Sequence, residues 1–187
     1  MTNPATDRRY EDSRVGVQIY TLRHLLDGSL ESYDKVLAEV ARAGYDGIET
    51  IHLPFDPEAL RDLYDKYELE VLSAHVSFDL LEHNLKQQLE ICDIIENDYL
   101  ILPYLTEAQR PREKGGWIEL GKKIGRIGQA CKQHGVRLLY HNHDFEMILF
   151  DGRTALEWLI EGAGVHHLGL ELDLAWMVRG NRNPVTS

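Results

Sequence analysis

The stretch Leu138-Leu139-Tyr140-His141-Asn142-His143-Asp144-Phe145-Glu146 decides how this chain is read. An apolar run of strand character ends in two histidines and two acids. About thirty residues on, Leu168-Gly169-Leu170-Glu171-Leu172-Asp173 repeats the device and sets Glu171 and Asp173 at a second strand end. Apolar strands that finish in His and Asp/Glu supply what a metal or acid–base site on a parallel sheet needs.

Working outward, short apolar runs alternate with amphipathic helices. Strands are expected at Val15–Tyr20, Gly47–Ile51, Glu70–Val76, Tyr99–Leu102, Val136–His141 and His167–Asp173. Between the first two, Tyr33, Val36, Leu37, Val40 and Ala41 fall at the spacing of one helical face, and Gly44 closes that helix. Asp56-Pro57 opens the next, with Asp as cap and Pro at the first helical position. Further helices are expected over about 79–96, from Gly116 to about His134, and over about 153–162. Alternation of this kind means a parallel sheet with helical crossovers.

Two architectures satisfy it, an open doubly wound sheet and a (β/α)8 TIM barrel. No Gly-x-Gly-x-x-Gly follows the first strand, which weakens the open dinucleotide-binding sheet. Strand parity favours the barrel. Ser73 and His75 share a face, as do Leu139, His141 and His143, and Gly169, Glu171 and Asp173. In each strand the other face is apolar and this one turns polar toward the C-terminal end, as a barrel interior does on rising to its rim. A barrel needs eight strands and the sequence supplies about six. The expectation is therefore a (β/α)8 barrel truncated after about six units, over residues 14–187, behind a disordered lead at 1–13. Its missing strands would be lost or supplied by another copy, so a homo-oligomer that completes the barrel is one expectation.

The chain has 187 residues and a net charge of -11. Such acidity disfavours a nucleic-acid partner. No apolar run approaches the roughly 20 residues that span a bilayer, so no membrane role is expected. The two cysteines, Cys92 and Cys131, fall on apolar helix faces and read as buried thiols in a reducing cytoplasm.

The stretches Val15–Arg23, Gly44–Glu49, Leu72–Val76, Tyr140–Glu146 and Leu170–Trp176 together resemble the xylose isomerase-like barrel superfamily, and within it the sugar phosphate isomerase/epimerase family. The resemblance implies a divalent metal at the C-terminal rim, manganese first, with zinc, magnesium or cobalt as alternatives. Asp173 matches the family's aspartate on the sixth strand. His141 stands where many relatives place a glutamate, so His141 or a bent-in Glu146 would join Asp173 as ligand. His143 and Glu146 are the candidate bases. Gln18, Glu49 and His75 would line the pocket and bond sugar hydroxyls, with Trp176 as an apolar wall. Glu171, one pleat deeper, reads as an interior hydrogen bonder. The implied activity is a metal-dependent isomerase or epimerase acting on a sugar or sugar phosphate through an enediolate. The alternatives are a lyase or dehydratase on a keto-inositol or 3-keto sugar, and a truncated relative without activity. Arg179 and Arg182 are the nearest candidates for a phosphate group.

Overall fold

A computed structural model describes residues 13–185. The expected lead over 1–13 lies outside these but for Ser13. The chain divides into two compact units between Leu72 and Ser73.

In the first unit β1 (Gly16–Gln18) pairs in parallel with β2 (Gly47–Ile51), Gly16 opposite Gly47 and Gln18 opposite Glu49. The strand expected to reach Tyr20 stops two residues earlier, and Ile19–Leu25 winds into a 3-10 helix. Helix α1 (Leu30–Arg42) is capped by the Ser29 side chain, which accepts from the Ser32 amide; α2 (Pro57–Lys66) is capped by Asp56. Tyr33, Val36, Leu37 and Val40 are buried, as the spacing predicts, with Ile48, Leu60 and Tyr64. The Tyr33 hydroxyl lies 3.1 Å from that of Tyr64 and 3.3 Å from the Thr50 hydroxyl, so three polar groups satisfy one another inside the apolar layer. Gly47 has no spare room: a Cβ there would sit 2.5 Å from the Glu70 carbonyl oxygen.

Strand β3 (Glu70–His75) runs across the division. In the second unit it is followed by α3 (Phe78–His83), α4 (Leu85–Ile95), β4 (Tyr99–Leu102), α5 (Lys114–Gln133), β5 (Arg137–His141), the two-residue hairpin strands β6 (Leu149–Phe150) and β7 (Arg153–Thr154), α6 (Ala155–Ala163), β8 (Gly169–Glu171) and α7 (Leu174–Arg179). β3, β4, β5 and β8 pair in parallel in that order. The expected single helix over 79–96 is two. Asn84 leaves helical geometry at φ −130°, ending α3 and preceding α4.

The core gathers Leu100, Leu102, Trp117, Ile124, Tyr140 and Leu159 around the sheet's helix-facing side. Helices α5 and α6 approach with almost no side chain between them. A Cβ at Gly121 would meet the Leu159 carbonyl oxygen at 2.1 Å, and one at Gly125 that of Ala163 at 2.3 Å. Cys92 and Cys131 are buried and unbridged, and burial pushes their thiols up to about 12 and about 11, so both stay protonated. Among the described residues no helix is long and apolar enough to cross a membrane.

Candidate metal and acid–base site

Three strands of the second unit end in the residues that matter. His75 closes β3, His141 closes β5 and Glu171 closes β8. The parallel register sets His141 directly opposite Glu171. Because alternate residues share a face, all three side chains leave the sheet on the side away from Tyr140 and Leu138, which lie in the core. Glu171 Oε2 lies 3.0 Å from His141 Nδ1 and 3.3 Å from His75 Nε2. The two imidazole rings are tilted, with centroids 5.6 Å apart. One donor atom from each of the three residues falls within 4.8 Å of the others.

That donor set suits a divalent cation. Ligand bonds of about 2.0–2.1 Å in a tetrahedral arrangement separate neighbouring donors by about 3.3 Å, close to the two distances from Glu171. Two imidazoles with one carboxylate match zinc better than calcium or magnesium, which prefer oxygen alone.

Asp173 lies at the edge of this group. Its Oδ2 is 3.9 Å from His141 Nε2, while Oδ1 accepts from the Trp176 amide and caps α7. Asn142 fixes it there. The Asn142 Nδ2 donates to the Asp173 carbonyl at 3.1 Å, and the Asp173 amide donates back to Asn142 Oδ1 at 2.9 Å. Asn142 is 0% exposed. The sequence reading passed over it, although an asparagine on a strand's apolar face must find partners and so carries its own signal.

Glu146, expected as ligand or base, has a different job. It is 0% exposed, and both carboxylate oxygens are engaged: Oε1 accepts from the Tyr140 hydroxyl at 2.6 Å and Oε2 from the His143 amide at 2.8 Å. Burial pushes its carboxyl up, and those two donors pull it partly back. Glu146 therefore anchors the turn that follows β5 instead of reaching the cation donors.

His143 sits within a ring of aromatic groups. Its centroid is 4.8 Å from Trp176, 5.1 Å from Tyr104, 5.1 Å from His141 and 5.7 Å from the stacked Phe145. Its Nδ1 is buried with no hydrogen-bond partner among the described residues. Burial, and then the neighbouring His141, push the imidazole down to about 4, so it is neutral at pH 7 and able to accept a proton. The sign follows. An imidazole whose folded value lies below the ordinary 6.5 stabilises the fold fully above 6.5 and loses that contribution as pH falls toward about 4. An NMR titration should show His143 neutral at pH 6; a midpoint at the ordinary value would contradict this burial.

Gln18 and Glu49 pair with each other in the first unit, Gln18 Nε2 donating to Glu49 Oε1 at 2.6 Å. Arg179 is paired with Asp144 at 2.9 Å, and Arg182 donates to the Met147 carbonyl.

Residues 37–186 match the family described as the xylose isomerase-like TIM barrel. The chain belongs to that family. Its six parallel strands are those of a partial (β/α)8 barrel, and the fold is shared with a sugar phosphate isomerase/epimerase from Parabacteroides distasonis ATCC 8503, at TM-score 0.78 and 20% identity over 98% of this chain and 74% of that one. It is shared too with a structure described as the IOLI protein with a binding zinc atom, at TM-score 0.67 and 15% identity over 91% and 66%. In sequence the chain is similar to an inosose dehydratase of Mesomycoplasma hyopneumoniae (strain 7448), 28% identical over 60% of this chain and 43% of the relative. The chain thus spans less than half the length of the curated relatives it matches.

Proposed function

We propose that this xylose isomerase-like barrel protein is a divalent-metal-dependent isomerase or epimerase of a sugar. His75, His141 and Glu171 would hold the cation, with Asp173 as a further ligand within reach. The observation that carries this is the convergence of two imidazoles and one carboxylate from three different strand ends on a common point.

A cation there would polarise a sugar carbonyl and stabilise an enediolate, the role that zinc or manganese supplies in such a site. The chain's own groups do the rest. His143, neutral at working pH, would take the proton from the carbon beside that carbonyl and deliver it to the former carbonyl carbon, while the neighbouring hydroxyl proton passes to the carbonyl oxygen, so that carbonyl and hydroxyl exchange places. Trp176 and Phe145 flank that imidazole and exclude water from it. Glu146 holds the backbone of His143 in place.

One finding favours a second outcome of the same proton transfer. The curated relatives are inosose dehydratases, in which reading the proton loss is followed by expulsion of a hydroxide as water, with no return of the proton to carbon. A single experiment separates the two. The chain, loaded with Mn²⁺ or Zn²⁺, is incubated in D₂O with a ketohexose and, separately, with a keto-inositol. Deuterium entering the carbon beside the carbonyl supports the isomerase, and a conjugated enone absorbance from the keto-inositol supports the dehydratase. Exchange that proceeds equally without metal, or in His143→Gln, counts against both.

A further inference from the structure

A second constellation lies at the other end of the strands, where β5 and β8 begin. Gly128, Lys132, Arg137, His166, His167 and Gly169 line a cavity of about 260 Å³. Its walls are set by two glycines. Gly128 on α5 lets the helix press on the turn before β8, since a Cβ there would lie 1.9 Å from the His167 carbonyl oxygen. Lys132 is one helical turn further along the same face and so reaches the same hollow. Gly169 lets β8 press on β5, since a Cβ there would lie 2.4 Å from Leu139 Cδ2, and the Arg137 guanidinium lies 3.9 Å from the same point.

The charge of this hollow is unbalanced. The chain carries a net charge of -11. Most of its other cations pair with carboxylates, as Lys35 does with Glu31, Lys114 with Asp151 and Arg153 with Glu161. Among the described residues neither Lys132 nor Arg137 has a carboxylate partner. His167 Nδ1 is shielded from solvent and has no hydrogen-bond partner among them either. Two cations without carboxylate partners around one cavity, in an acidic protein, ask for an anion with several acceptor oxygens.

We propose that this cavity is a phosphoryl-binding site, taking inorganic phosphate or the phosphate group of a small metabolite. The planar guanidinium of Arg137 suits two oxygens at once, and Lys132 supplies a mobile point charge. The volume of about 260 Å³ lies just below the usual range for ligand sites and suits a group the size of phosphate or a short phosphate ester. The site stands apart from the His75–His141–Glu171 cluster, so its occupant does not compete with a substrate there, and it does not depend on the proposed activity.

The test uses the full chain in low-salt buffer, titrated with inorganic phosphate and in parallel with glycerol 3-phosphate. Calorimetry reads affinity and amide NMR shifts read location. Saturable binding that moves Gly128, Leu168 and Gly169 is expected. Lys132→Ala and Arg137→Ala, both solvent-exposed and safe for folding, should each weaken it about tenfold, the worth of one charge-assisted contact. Tighter binding of the ester identifies a metabolite, and tighter binding of phosphate identifies the free ion. No saturation by about 20 mM, shifts confined to other regions, or unchanged affinity in Arg137→Ala would each overturn the site.

Discussion

Glu171→Gln is expected to lower zinc affinity by about 100-fold or more, since removing a direct ligand should exceed the roughly 10–100-fold cost of disturbing an outer partner. The Glu171 carboxylate meets both imidazoles, at 3.0 and 3.3 Å. Glutamine keeps its length and one acceptor oxygen, so the two histidines retain a hydrogen-bonding neighbour and the strand end should not collapse. What disappears is the negative charge that would offset the cation. Competition with a chromophoric chelator, alongside circular dichroism to confirm folding, measures the effect. Asp173→Asn is the informative companion, because asparagine caps helices about as well as aspartate. A large loss there makes Asp173 a direct ligand; little change leaves the cation with His75, His141 and Glu171. Zinc binding unaffected by Glu171→Gln would remove the metal site from the protein.

The second large effect is on stability. Glu146→Ala should cost about 3 kcal/mol, lowering the melting temperature by roughly 6–12 °C for a chain of this size. The reason is not lost charge alone. The Tyr140 hydroxyl is in the core with Glu146 as its acceptor, and alanine would leave that hydroxyl buried and unsatisfied beside a new void. The His143 amide loses its acceptor as well. Tyr140→Phe removes one end of the pair without the void and should cost less. A double-mutant cycle between Tyr140→Phe and Glu146→Gln is expected to show coupling of about 1 kcal/mol. Additive effects would mean that the short contact contributes little to the fold.

Much of this architecture could be read from periodicity alone. The helix over Leu30–Arg42 buries Tyr33, Val36, Leu37 and Val40 as its spacing predicts and leaves Ala41, at its end, half-buried, because a 3.6-residue period leaves only one face to cover. Parity puts His75, His141 and Glu171 on the polar faces of their strands, and Glu171 is the interior hydrogen bonder expected, bonded to both imidazoles. Depth is a matter of register between strands, and only the pairing of His141 with Glu171 reveals that the two ends are level. Glu146 shows the complementary difficulty. Its spacing from the histidines suits a ligand, but its direction depends on the 3-10 turn Phe145–Met147, which turns it back toward Tyr140. The break at Asn84 leaves no mark in the apolar pattern, which continues on both sides of it.

The reciprocal pair of bonds between Asn142 and the Asp173 main chain has a thermodynamic consequence. It rivets the ends of two neighbouring strands just beyond their last ladder pair. The spacing of the adjoining imidazole and carboxylates is then an attribute of the apo scaffold and not something an incoming ion must impose. Capture of that ion would cost little ordering entropy, and its release would leave the cradle ready for the next.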